Sequence, residues 1–507
     1  MEFVFFHLIF SQMLDFSPSK IEFTKRARTG KISPVYTELP FSSPQQMYEQ
    51  LDAPFSVLLE SIKGPENIAR YSFIGTKPFL VFRVKNGKVE ISCNGKETVS
   101  STHPLKKLKE LMHRYRNNTP GGLPPFAGGA VGMISYDFVH YFEKLPKTAI
   151  DDLHIPDAHF MMFDTVIAFD HKLRKTYILS CPAAGELVTE SVSTIDDWGL
   201  YYDKAYEKIS VLHKKITLVT RQERGPAGKL KTSIVVRHEM GKMNYMDIVK
   251  RAKEYIRAGD IFQANLSQRV SAHIGDVKPW QIYKVLSGIN PSPFAGYMNM
   301  GDYCIASSSP ERLVRVTGNI VDTRPIAGTR PRGKNAEGDM QMRTDLLLNE
   351  KERAEHLMLI DLERNDLGKI SDYSTVEVDE LMITEEYSHV IHIVSNIRGT
   401  LAKGRDCFDA IRATFPGGTI TGVPKVRCME IIDELEPVVR GPYTGSIGYI
   451  SFSGDMDLNI IIRTFVIKEN VAYVQAGAGI VADSDPEREY YETLKKAEAL
   501  IKTLEVL

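Results

Sequence analysis

The chain of 507 residues is 43% hydrophobic and 25% charged, with 63 basic and 64 acidic side chains. That length suits two to four domains, or one large α/β or α+β unit with an extra lobe. The composition excludes disorder, collagen and a coiled coil as descriptions of the whole chain. A formal net charge of -1 offers no global field toward nucleic acid or an anionic membrane.

In chain order, the first feature is Phe3 to Phe10, FVFFHLIF. It is too short to span a bilayer, has no preceding basic residue and meets no small-residue cleavage site. It reads as an upstream start or a buried strand, with Met13 as a second candidate initiator. From about residue 30 to 213, β-rich runs such as Leu80–Val84 and Tyr177–Leu179 alternate with helical stretches such as Pro104–Tyr115. Residues 216–240 are polar, basic and broken by Gly225, Pro226 and Gly228, the signature of a boundary or exposed linker. A helix follows, with Asn244 expected at its N-cap, Tyr245, Ile248, Val249, Ala252, Tyr255 and Ile256 on one face, and Gly259 as its stop. Ser446–Phe452, Leu458–Ile467 and Val471–Gln475 read as strands, the last two joined through Lys468-Glu469-Asn470. Pro486 to Leu504 reads as a helix capped by Asp485 or Ser484. The five cysteines (Cys93, Cys181, Cys304, Cys407, Cys428) are odd in number, scattered and without a C-x-x-C pair, so a reducing, cytoplasmic setting is expected.

Chemistry is suggested by two carboxylate steps. Glu352 and Glu355 are three apart, as are Glu489 and Glu492. On a helix such pairs face one way, and four carboxylates from two helices would form a hard-oxygen site suited to Mg2+. Glutamates on helices are more often solvated surface. His392 lies in the apolar run VIHIV, where a core role is common; in a polar cleft its near-neutral pKa would suit acid–base work. Arg463 interrupts LNIIIRTFVI and needs a structural carboxylate or a bound anion as partner. Gly477-Ala478-Gly479 would let a backbone approach a ligand closely. Two motif imitations fail: Gly417–Lys425 has Val423 where a P-loop needs lysine, and Asp455–Asn459 is followed by Ile460 where a Ca2+ loop needs glycine.

Six segments carry a more specific resemblance: PIAGTRPRG (325–333), KERAEHLMLIDLERNDLG (351–368), SHVIHIVS (388–395), FPGGTITGVPK (415–425), IIIRT (460–464) and AGAGIVADSDPEREYYET (476–493). Their order and spacing resemble the chorismate-utilising enzymes. LLES (58–61) with ARYSFIG (69–75) resembles the N-terminal region of the large subunits of anthranilate synthase and aminodeoxychorismate synthase. The resemblance implies an α+β, two-lobed fold of mixed or antiparallel sheets with helices outside and the chorismate pocket between. It divides the chain into a packing or regulatory lobe at 1–215, a linker at 216–240 and a chorismate-binding catalytic domain at 241–507.

By motif position, the resemblance implies that Glu355 and Glu492 hold Mg2+, with Glu352 and Glu489 as supporting carboxylates. Arg463 and Tyr443 would bind the enolpyruvyl carboxylate side, and Gly328, Thr329 and Gly477–Gly479 would complete the cradle. His392 would be the general acid–base, with Gln263, Thr419 and Lys496 also in the catalytic set. Ser61, Pro293, Phe294 and Ala295 resemble a tryptophan feedback pocket. Water-adding members carry lysine where this chain has Gln263, and a neutral amide cannot act as a base for water. Amination is therefore expected, with ammonia from a separate glutamine amidotransferase subunit, because no cysteine sits in a nucleophile elbow. QANLSQR, PFAGY, PGGTITG, YTGSIGYISF and MDLNIIIRT point to 4-amino-4-deoxychorismate and the folate pathway. Ala327 and LLES point to anthranilate, pyruvate release and tryptophan synthesis. A silent regulatory paralogue and a water-adding synthase are the remaining alternatives.

Overall fold

A computed structural model describes residues 14–66, 68–189, 195–219, 234–386 and 390–507. The segment Phe3–Phe10 and most of the 216–240 stretch lie outside them. At the edges of that stretch, a helix runs Trp198–Val219 and a strand occupies Val236–His238.

Among the described residues, two twelve-stranded antiparallel sheets form the body of the protein. In the first, strands run in the order 35–40, 175–180, 165–170, 71–75, 56–60, 294–299, 304–309, 464–468, 471–480, 263–273 and 236–238, with 422–423 paired beside 263–273. The second runs 326–331, 390–400, 320–324, 312–317, 456–459, 446–451, 129–134, 158–163, 80–85, 88–93 and 96–100, with 377–386 paired to 390–400. Each sheet contains strands from both halves of the chain. The mixed α+β architecture expected from the resemblance is therefore observed.

Local chemistry accounts for the elements. Leu80–Lys85 alternates buried and half-buried positions, the period of a strand with one face on the core. Gln263–His273 is buried almost throughout because both its faces are covered. Phe73 of the first sheet meets Phe126 at 5.5 Å and Tyr449 of the second sheet at 5.4 Å, ring to ring, so an aromatic core joins the layers. A second core lies against the first sheet, where helices Pro44–Leu51, Pro279–Ile289 and Pro486–Glu505 bury Tyr48, Trp280, Tyr283 and Leu500.

Three expectations are corrected. The helix following the 216–240 stretch begins at Lys242 with Gly241 as its N-cap, one turn earlier than Asn244 suggests; Gly259 ends it as expected, at φ 83°. In the hairpin, Lys468 pairs directly with Val471, so the turn is Glu469-Asn470, both at positive φ. The run Leu458–Ile467 is two strands rather than one. Met456–Asn459 belongs to the second sheet and Thr464–Lys468 to the first, and the chain crosses between them with Arg463 at φ 52°. The helix Pro486–Glu505 is capped by Asp485, which accepts from the Arg488 N–H at 2.9 Å, while Ser484 caps the preceding turn.

Candidate active site

Strands 263–273 and 471–480 of the first sheet, strands 326–331 and 390–400 of the second, and helices Glu350–Gly368 and Pro486–Glu505 supply twelve of the fifteen residues expected in the catalytic, substrate and metal sets. Thr419 comes from the turn Gly418–Ile420, and Tyr443 and Arg463 from loops. The helix period puts Glu352 and Glu355 on one face of the first helix, and Glu489, Glu492 and Lys496 on one face of the second. Gln268 fastens the second helix to its strand, donating to Thr493 Oγ1 at 2.5 Å.

The contacts close into a circuit. Gln263 Nε2 donates to Glu355 Oε1 at 3.2 Å, and the same amide lies against Gly479, where any Cβ would strike it. A Cβ at Gly477 would lie 2.7 Å from the Tyr443 hydroxyl. Lys496 Nζ donates to the Gly477 carbonyl at 3.1 Å and pairs with Glu492 at 2.9 Å. Thr329 Oγ1 and His392 Nδ1 are 2.9 Å apart on directly paired strand residues. A Cβ at Gly328 would lie 2.9 Å from Glu352 Oε2, which returns the circuit to the first helix. The two glycine strands are thus places where a side chain would fill the space between sheet and helices.

Electrostatics bind the same residues. Burial raises Glu355, opposed by the Gln263 hydrogen bond and reinforced by Glu352. Burial likewise raises Glu489, with Glu492 adding to the effect. Lys496 and Lys351 lower both glutamates, so the carboxylate pairs of the two helices face a common space. Among the described residues, no three acidic, histidine or cysteine side chains are gathered into a finished metal cluster. Instead Glu492 is paired with Lys496, and Glu352 with Arg330 at 3.1 Å. The donor set is all carboxylate oxygen, and Glu489 Oε2 is buried with no hydrogen-bond partner. That chemistry fits Mg2+.

His392 departs from the near-neutral expectation. Burial first, then the positive charge of Arg463, push its pKa down to about 3, against a small opposing effect of the Gly328 carbonyl. The free protein therefore holds a neutral imidazole. A proton on Nδ1 serves the Gly328 carbonyl at 3.4 Å and leaves Nε2 as the basic nitrogen. Tyr443 is buried, and burial raises its hydroxyl pKa. The glycine-rich turn that imitates a P-loop forms a 3-10 turn, Gly418–Ile420, and the start of a helix. The imitation Ca2+ loop gives its Asp457 to Arg312 at 2.9 Å.

Sequence reasoning missed Glu311. It lies in the crossing from strand 304–309 of the first sheet to strand 312–317 of the second, beside the crossing that carries Arg463. The Ile460 N–H donates to the Glu311 carbonyl at 3.0 Å, and the Ser308 N–H donates to the Arg463 carbonyl at 3.2 Å. Burial raises the Glu311 carboxyl to about 7, against Thr419, the Ile326 N–H, Arg463 and Lys496. Thr419 Oγ1 lies near that carboxyl, yet both it and Glu311 Oε1 are buried without a hydrogen bond of good geometry. A Ser-Pro-Glu step between two β-rich runs was the only local signal.

Behind Glu311, burial raises Glu363 to about 8, with Glu311 and Asp366 adding to the effect and Thr323 and Lys425 opposing it. Both acids keep protons in the native state that the unfolded chain, with ordinary carboxylates, loses. Stability of the metal-free protein is therefore expected to fall as pH rises from about 5 to about 8. Glu363→Gln, neutral at every pH, should flatten that fall. Thermal melting against pH checks this, and an unchanged slope in the variant would assign the dependence elsewhere.

Ser61, Pro293, Phe294 and Ala295 lie apart from this circuit. They line a cavity of 710 Å³ together with Arg312 and Tyr449. Ser61 Oγ donates to the Pro293 carbonyl at 3.1 Å, and the Arg312 guanidinium lies 5.1 Å from the Phe294 ring centre.

Residues 55–502 match the family described as chorismate binding enzyme. Anthranilate synthase component 1 of Acetivibrio thermocellus is 42% identical over 500 residues, covering 97% of this chain and 99% of that one. Aminodeoxychorismate synthase component 1 of Bacillus subtilis (strain 168) is 40% identical over 479 residues, covering 93% and 97%. The crystal structure of anthranilate synthase component I from Streptococcus pneumoniae TIGR4 superposes with a TM-score of 0.72 at 36% identity, covering 90% of this chain and 97% of that one.

Proposed function

Because this chain belongs to the chorismate binding enzyme family, we propose that it aminates chorismate with ammonia and releases 4-amino-4-deoxychorismate and water. The observation that carries the amination is Gln263, whose neutral amide is committed to Glu355 at 3.2 Å and packed against Gly479. An amide offers no base to activate water, whereas ammonia is already a nucleophile.

The chain's own residues divide the work. Arg463 and Tyr443 hold the substrate's enolpyruvyl carboxylate, and the backbone of Gly477–Gly479 with Gly328 lets the ring lie close. Glu355 and Glu492, supported by Glu352 and Glu489, would hold Mg2+, whose charge would neutralise the ring carboxylate and draw electron density from the ring. His392 accepts a proton at Nε2 while Thr329 fixes its ring. Glu311, protonated near neutrality, and Lys496 are placed to donate a proton as the 4-hydroxyl leaves as water. The ammonia comes from outside the chain. Cys181, Cys407 and Cys428 are buried and, like Cys93 and Cys304, have pKa values raised by burial, so none supplies a thiolate for glutamine hydrolysis. A glutamine amidotransferase subunit is the partner this reading requires.

The choice of product rests on the PGGTITG and LNIIIRT motifs. They are one physical feature, because a Cβ at Gly417 would lie 2.9 Å from Ile460 Cδ1. Alanine at 417 would make the tip of the Ile460 side chain move aside. The second reading, anthranilate with pyruvate released, is favoured by Ala327 and by the cavity at Ser61, which would serve as a tryptophan pocket. Incubation with chorismate, Mg2+ and an ammonium salt at mildly alkaline pH, with products identified by mass and fluorescence, separates the two. An amino-chorismate convertible to p-aminobenzoate by added lyase supports the first reading. Anthranilate with pyruvate, suppressed by added tryptophan, overturns it in favour of the second.

A further inference from the structure

Arg330 stands one residue beyond Thr329 on the strand Ile326–Pro331. Its Nε donates to Asp345 at 2.7 Å, and its Nη1 donates to Glu352 and to the Thr329 carbonyl, each at 3.1 Å. Asp345 belongs to the helix Ala336–Leu348 and Glu352 to the helix Glu350–Gly368. One guanidinium therefore ties two helices together through a carboxylate of the proposed metal site.

The helix Ala336–Leu348 is otherwise held by one small apolar cluster and by ion pairs. Leu346 is its one buried residue among those described, and it packs where a Cβ of Gly328 would lie 3.0 Å from its Cδ1. Met342 and Leu347, partly buried, join Leu346 in a small apolar cluster with Ile391 and Ile393, and the ion pairs Arg332–Asp339 and Arg343–Glu386 add to it. A helix with so small a core contact loosens more readily than the sheets beneath it when a charge partner is withdrawn.

We propose that Arg330 is a positioning residue that neutralises Glu352 in the metal-free enzyme, so that Mg2+ binding and loosening of the helix Ala336–Leu348 are one coupled step. Arg330 and the divalent cation compete for the same carboxylate oxygens, and by linkage whatever weakens one favours the other. The inference rests on the reading that Glu352 serves the metal.

The test is calorimetric titration of Mg2+ into the protein without chorismate, paired with hydrogen–deuterium exchange of residues 336–348. In the wild type, Mg2+ should bind and raise exchange across this helix. Arg330→Ala should bind Mg2+ roughly tenfold tighter, the effect of removing a cation beside a carboxylate, and should exchange fast with or without Mg2+. Asp345→Asn keeps the Arg330–Glu352 bond, so it should still bind Mg2+ but lose the Mg2+-dependent change in exchange. Unchanged or weaker binding by Arg330→Ala overturns the proposal, as does wild-type Mg2+ binding that leaves exchange of 336–348 unaltered. If Arg330→Ala does not fold, the wild-type and Asp345→Asn exchange still decide. A wild type that binds no Mg2+ at all overturns the metal reading itself.

Discussion

Glu492→Ala is expected to abolish Mg2+-dependent turnover of chorismate while leaving the fold intact. The side chain is about half exposed and pairs with Lys496 at 2.9 Å. Exposed i,i+4 pairs contribute only a few tenths of a kcal/mol, so melting should barely move. The chemical loss is of another size. A cation that clamps the substrate carboxylate supplies several kcal/mol at the transition state, so removing one of its carboxylates should slow turnover on the order of 10³-fold or more. Lys496 would be left without its acidic partner, still facing Glu355 and Glu489. Steady-state rates across a Mg2+ titration, with circular dichroism as the folding control, check this. Activity close to wild type would remove Glu492 from the metal site.

His392→Ala should leave chorismate binding nearly intact and slow turnover by roughly 10² or more. Its Nδ1 contacts are on the neighbouring strand, Thr329 at 2.9 Å and the Gly328 carbonyl at 3.4 Å, so the loss should fall on ring chemistry and not on the carboxylate clamps proposed at Arg463 and Tyr443. Its pKa, pushed down to about 3, also makes a statement about pH. The wild-type kcat/KM profile should show no limb from this histidine above about pH 5, because the free enzyme already holds it neutral. Binding measured by fluorescence titration, together with single-turnover rates, separates the two effects. Turnover unchanged by the substitution would make His392 a core residue that fills space between the sheets.

Much of the site was legible because it is written in local periodicity. The i,i+3 spacing of Glu352 with Glu355, and of Glu489 with Glu492, places each pair on one helix face whatever the rest of the fold does. The cap at Asp485, the stop at Gly259 and the Glu469-Asn470 turn are likewise decided within a few residues. Motif order across residues 325–493 then carried the family.

What the sequence by itself could not contain is which strands lie beside which. Leu458–Ile467 looks continuous because apolar and β-branched residues fit either sheet. Only the partners on each side, Arg312–Thr317 in one sheet and Cys304–Ser309 in the other, break it at residues 460–463 and deliver Arg463 into the site. Glu311 arrives by the neighbouring crossing, and burial there, not its sequence surroundings, raises its carboxyl to about 7. Arg330 reads as one of several basic residues in PIAGTRPRG until two helices bring Asp345 and Glu352 to it. Local sequence determined the elements, their faces and the carboxylate pairs, since those depend on neighbours three or four residues away. Tertiary structure decided the crossings, the burial and hence the charge states, since desolvation depends on atoms hundreds of residues distant.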